Sequence, residues 1–117
     1  MKINYKKRYL FLDGKKDDIL FEFNNKYMLI STFLSADVTP FEDYVKEGFD
    51  KVLSGESDYE ELNGNVCGVE IHKDKTQIYD NLAEDGMGNW CEVDTKDLRE
   101  LVDIWCKEVK KFKEQHK

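Results

Sequence analysis

The sequence predicts an α+β fold. The expected form is an antiparallel β-sheet of about five to six strands with two helices packed on one face, in the order βββαβββα. Three observations carry that reading. Short segments rich in aromatic and β-branched residues end at turn signals such as Asp13-Gly14 and Lys73-Asp74-Lys75. Two longer segments place apolar residues at helical spacing. The chain has one proline and no Gly/Ser-rich linker, so residues 1–117 read as a single domain.

Each element follows from local pattern. Residues 8–13 form a short strand that ends at the Asp13-Gly14 turn. Residues 18–24 alternate, with Ile19, Phe21 and Phe23 on one face and Leu20 and Glu22 on the other. Asn24-Asn25-Lys26 reads as a hairpin loop, and residues 27–34 as the next strand. Both faces of that strand are largely apolar, which places it centrally in the sheet. Thr39-Pro40-Phe41-Glu42 reads as a capping box, with proline at the first helical position. The helix it opens runs to about residue 54 and stops at Gly55. Phe41, Tyr44, Val45, Phe49, Val52 and Leu53 make its apolar stripe.

Residues 56–64 read as an acidic connector. Residues 66–72 are a strand with Cys67, Val69 and Ile71 on one face, and 77–82 pair with it as a hairpin. Residues 83–89 form a loop, and 90–93 a last short strand. Asp94-Thr95 caps a C-terminal helix of about residues 96–114. Leu98, Leu101, Val102, Trp105, Val109 and Phe112 form its buried stripe. Its lysine-rich last turns suit the negative end of the helix dipole.

The charge is unevenly placed. The chain holds 25 acidic and 18 basic residues, a formal net charge of −7. Residues 1–17 carry a balance of +4, residues 18–95 a balance of −13, and residues 96–117 a balance of +2. A strongly acidic centre argues against nucleic acid as a partner, because phosphates need a clustered cationic face. The acids gather in three places. Asp43, Glu47 and Asp50 share one helix face. Glu56, Asp58, Glu60 and Glu61 surround Tyr59 in the connector. Asp80, Glu84 and Asp85 precede Trp90. Such clusters either solubilise a surface or meet a basic partner. On the second reading Tyr59 and Trp90 are the anchors.

No catalytic or metal signature emerges. There is no phosphate-cradling loop, and Gly86-Met87-Gly88 lacks the third glycine of a dinucleotide fingerprint. A calcium loop ending at Glu92 would need an oxygen donor at Ala83. His72 lies five residues from Cys67 on one strand, so the two point to opposite faces. The three cysteines and two histidines lack zinc spacing. The expectation is therefore no cofactor, no metal and no enzyme activity. The odd cysteine count without a C-x-x-C pair fits reduced thiols, and no apolar run reaches the length of a signal or a membrane span. A soluble cytosolic protein without a membrane partner is expected.

The second half carries a resemblance. It runs from Val66-Cys-Gly-Val-Glu-Ile-His through Tyr79-Asp-Asn-Leu and Trp90-Cys-Glu-Val-Asp-Thr to Leu98-Arg-Glu-Leu-Val-Asp-Ile-Trp. This layout, with the size and charge, resembles the small acidic immunity proteins of bacterial polymorphic toxin systems, including contact-dependent growth inhibition. Those proteins share no diagnostic motif, so no functional residue is carried over. The resemblance implies a stoichiometric inhibitor of a cognate toxin domain, a basic protein and typically a nuclease. The expected contact residues are Asp43, Glu47, Asp50, Glu56, Asp58, Tyr59, Glu60, Glu61, Asp80, Glu84, Asp85 and Trp90. The alternative is a small adaptor or regulatory subunit that binds a partner, or itself, through an exposed apolar surface.

Overall fold

The computed structural model describes residues 3–82 and 90–115. Strands β1 (Lys6–Leu12) and β2 (Lys15–Glu22) form a two-stranded antiparallel hairpin. Its two-residue turn holds Asp13 and Gly14 at φ +53° and +78°, the paired left-handed residues that a type I′ turn requires. A second sheet has four antiparallel strands in sequence order: β3 (Tyr59–Asn63), β4 (Cys67–His72), β5 (Lys75–Asp80) and β6 (Trp90–Asp94). Helices α1 (Met28–Thr32) and α2 (Glu42–Leu53) lie between the sheets in sequence, and α3 (Thr95–Gln115) ends the chain.

The α+β class stands, but the strands form two sheets rather than the expected single one, three helices replace the expected two, and the element order differs from expectation in two places. Residues 27–34 are not a strand. A 3-10 turn at Asn25–Tyr27 leads into α1 and then into a π-helical segment, Phe33–Val38. Asn24 is no hairpin loop residue; its side chain accepts from Lys26 N and caps the 3-10 turn. Leu29, Ile30, Phe33, Leu34, Asp37 and Val38 are buried, a helical repeat on one face. A short apolar run has the same composition whether it is buried as strand or helix, so periodicity alone could not separate them. The second difference is β3, which occupies most of the expected connector. Its Leu62 is buried while Tyr59, Glu61 and Asn63 are exposed, an alternation hidden among carboxylates.

The inner face of the four-stranded sheet is the core. Leu62, Cys67, Val69, Ile71, Ile78, Cys91 and Val93 are buried against the helices. Helix α2 approaches closely at Gly48, where a Cβ would stand 2.7 Å from Leu62 Cδ2. Trp105 of α3 meets Phe21 of β2 edge to face, with centroids 5.0 Å apart at 83°. Tyr5 stacks on the same Phe21 at 4.3 Å. Helix α3 thus joins the hairpin to the larger sheet. Each fully buried side chain such as Phe21, Phe49 or Leu98 contributes roughly 1.5–3 kcal/mol.

Two polar groups set the helix geometry. The expected capping box is not formed: α2 starts at Glu42, and Phe41 holds the cap position without a side-chain bond. Thr39 instead donates its hydroxyl to Leu34 O (3.1 Å) and accepts the Trp105 indole N–H (3.0 Å). A buried indole N–H needs an acceptor, and that demand claims the threonine. Asp37 is 2% exposed, and its carboxylate accepts from Asn65 N (2.6 Å), Val66 N (3.1 Å) and Cys67 N (2.8 Å). The π-helical segment therefore clamps the β3–β4 turn. Gly64 is glycine because a Cβ there would collide with the Asp37 carboxylate.

Candidate partner-binding surface

Strand alternation gives the four-stranded sheet a second, solvent-facing side. Across it, β-pairing aligns Glu61 with Glu70, Glu70 with Gln77, and Gln77 with Glu92. Three carboxylates and one amide thus form a row across all four strands. Tyr59 and His72 are paired on one side of the row, their rings 5.0 Å apart. On the other side, Tyr79 is paired with Trp90, their rings stacked at 6.4 Å. Asn63 and Gly68 complete that second row. Gly68 leaves room for the Asn81 side chain, whose Oδ1 would stand 2.9 Å from a Cβ.

The row is held in place by neutral donors rather than cations. The Tyr59 hydroxyl lies 3.1 Å from both Glu61 Oε2 and Glu70 Oε1. Asn63 Nδ2 donates to Glu61 at 3.3 Å, and Gln77 Nε2 donates to Glu92 at 3.1 Å. Partial desolvation and the carboxylates of Glu70 and Glu61 push the Tyr59 phenol up to about 12. The hydrogen-bonding approach of Glu70, with desolvation, pushes the Tyr79 phenol up to about 12. Among the described residues no ion pair involves Glu61, Glu70 or Glu92. Like charges facing each other across a strand pair are destabilising, so this face is not arranged for folding.

The other expected acids lie elsewhere. Helix α2 packs on the inner side of the sheet, so Asp43, Glu47 and Asp50 belong to a different layer from the carboxylate row. Two of these carry cations: Glu47 pairs with Lys51 (3.4 Å) and Asp50 with Arg99 (2.9 Å). Glu60 alternates away from the carboxylate row and stands 3.9 Å from Lys51. Glu56 and Asp58 precede β3 and are exposed. Asp80 ends β5 with its carboxylate accepting from Leu82 N. Glu84 and Asp85 lie outside the described residues. Of the expected contact residues, the carboxylate-row face gathers Tyr59, Glu61 and Trp90. It adds Glu70, His72, Lys75, Gln77, Tyr79, Glu92 and Asp94, which sequence reading passed over as contact residues. Their signal was present: in β4, β5 and β6 each lies out of phase with the buried residues.

The thiols behave as apolar groups. All three cysteines are free, and burial pushes Cys91 up to about 11 and Cys67 higher still, so both stay protonated. Among the described residues no group of three or more His, Cys, Asp or Glu could hold a metal ion. No described helix is long and apolar enough to cross a membrane.

These features define a small α+β protein with a charged, aromatic, solvent-facing sheet side. A curated relative from Bacillus cereus, named "Immunity protein", is 47% identical over 85 residues, covering 73% of this chain and 73% of the relative. The chain belongs to that immunity-protein family. Its role is accordingly an immunity role without catalysis. No protein-family model and no solved structure matches the chain.

Proposed function

We propose that this immunity protein is a stoichiometric inhibitor that binds and neutralises a cognate toxin domain in the cytosol. The carboxylate-row face of the four-stranded sheet is the contact surface. The toxin surface it meets is basic, and the toxin is a nuclease whose phosphate-binding Lys and Arg residues pair with these carboxylates. One observation carries the reading: Glu61, Glu70 and Glu92 form a row without an ion pair among the described residues. Partner cations would relieve a repulsion that the free protein retains. Tyr59 and Trp90, 38% and 49% exposed, are the aromatic anchors beside it. The acids on α2 are secondary, because Lys51 and Arg99 already offset two of them.

The test uses the cognate toxin domain, identified by capture on this protein. Association is timed over rising salt for the wild type, for Glu61→Lys/Glu70→Lys and for Glu47→Lys. The expected result is association that slows with salt, collapses in the double variant and changes little in Glu47→Lys. Association that ignores both salt and the double substitution sinks the proposal. A second reading rests on the hairpin tip. Leu10, Phe11 and Leu12 are 47%, 63% and 63% exposed, which favours an adaptor that docks through apolar surface. A stable dimer on sizing, lost in Phe11→Asp, would select that reading.

A further inference from the structure

Between the start of α2 and the C-terminal half of α3 lies an open groove of about 390 Å³. Its floor is apolar: Trp105, Cys106 and Val109. The Trp105 ring is fixed from two sides, by the Thr39 hydroxyl at 3.0 Å and by the edge-on contact with Phe21. The Cys106 thiol is pushed up to about 11, chiefly by burial, so the floor is neutral there. The rim has the opposite character. Lys46 crosses from α2, held by Glu42 at 2.8 Å. Lys107, Lys110 and Lys113 follow one another along α3 at helical spacing, and among the described residues no ion pair involves them; the carboxylate of Glu114 shares the rim, so the four lysines face two glutamates, Glu42 and Glu114.

We propose that this groove binds a small anionic amphiphile: an acyl chain or aromatic ring bearing a carboxylate, sulfonate or phosphate. The apolar floor takes the chain, and the lysine rim takes the head. Charge sign separates this site from the carboxylate-row face. On a chain of net charge −7, a rim where Lys46, Lys107, Lys110 and Lys113 outnumber Glu42 and Glu114 around an apolar floor forms a place that an anion enters and a basic protein surface does not. The volume is that of a small-molecule site. The pinned indole means the floor is formed before the ligand arrives, which lowers the ordering cost of binding.

The test is calorimetric titration of the full chain with decanoate, below its micelle concentration and at low salt, with decanol as the neutral comparison. The expected result is one decanoate per chain with Kd on the order of 0.1 mM. Decanol and the Lys107→Glu/Lys110→Glu variant should each bind about tenfold more weakly. Charge reversal away from the groove, Lys73→Glu/Lys75→Glu, should leave Kd unchanged. All of these substitutions are on exposed side chains, and circular dichroism confirms that each variant is folded. Decanol binding as tightly as decanoate, equal weakening by both charge reversals, or no saturable heat with decanoate would each overturn the proposal.

Discussion

Replacing Glu70 with Gln should make the free protein more stable and a worse partner at the same time. Glu61 Oε2 and Glu70 Oε1 each lie 3.1 Å from the Tyr59 hydroxyl, so these two oxygens are at most about 6 Å apart. At that distance two unit charges in bulk water repel by about 0.7 kcal/mol. Facing cross-strand pairs are worth roughly 0.2–1 kcal/mol, which is the same range. Gln keeps the size and an acceptor oxygen for Tyr59 while removing the charge. A gain of about 0.5 kcal/mol should raise Tm by about 2 °C, read by thermal unfolding in low salt and fading as salt rises. A second readout is independent of stability. Glu70 helps to hold the Tyr59 and Tyr79 phenols up at about 12, so in Glu70→Gln both should fall toward the ordinary 10.0 in a phenolate absorbance titration. Association with the toxin should slow severalfold, most at low salt. An unchanged or lower Tm, with both phenols still titrating as in the wild type, would show that the carboxylates do not strain this face.

Three further outcomes follow from the supporting structure. Asp37→Ala removes the acceptor of three backbone N–H groups, one of them on the buried Cys67, and should cost at least about 3 kcal/mol in urea unfolding. Thr39→Val strands the Trp105 indole N–H and should cost about 1–2 kcal/mol, with a change in tryptophan emission. Asp103 is held below its ordinary 3.8 by the Arg99 guanidinium. A carboxylate held low contributes stability that is full above its unfolded value and is lost as pH falls through the folded value. Asp103→Asn should therefore lower the urea midpoint at about pH 7 and show a smaller deficit at about pH 3, below the ordinary 3.8. A deficit equal at both pH values would assign the effect to packing instead.

Much of the fold was legible because burial leaves a period. The stripe Leu98, Leu101, Val102, Trp105 marks α3, and Ile19, Phe21, Phe23 marks the inner side of β2. Gly55 ends α2 with φ +86°, as its position after the stripe suggests. The errors share a cause. Residues 27–34 and Thr39 were decided by distant groups: the sheet that α1 covers and the Trp105 N–H, 66 positions away. The site was half legible for a related reason. Clusters in sequence pointed to residues 56–61, but a sheet face samples every second residue on four strands. Glu70 and Glu92 are far apart in the chain and come onto one row only through Gln77 of β5.

That arrangement also explains how an immunity protein can carry a repulsive surface and still fold. The sheet has two sides with separate duties. Leu62, Val69, Ile71, Ile78 and Val93 face the helices, and their burial does not depend on what stands on the other side. The carboxylate row can therefore change with a partner while the core stays constant, provided the strands keep their register. A slip of one residue would turn Glu70 into the core and Val69 into solvent. The register is pinned at the β3–β4 turn by Asp37 and at the start of β5 by the Thr76–Thr95 hydroxyl pair, 2.8 Å apart and buried. Both pins lie on the helix side, out of reach of a partner. Substitutions on the carboxylate-row face should accordingly alter partner choice with small changes in stability, whereas substitutions at the pins should do the reverse.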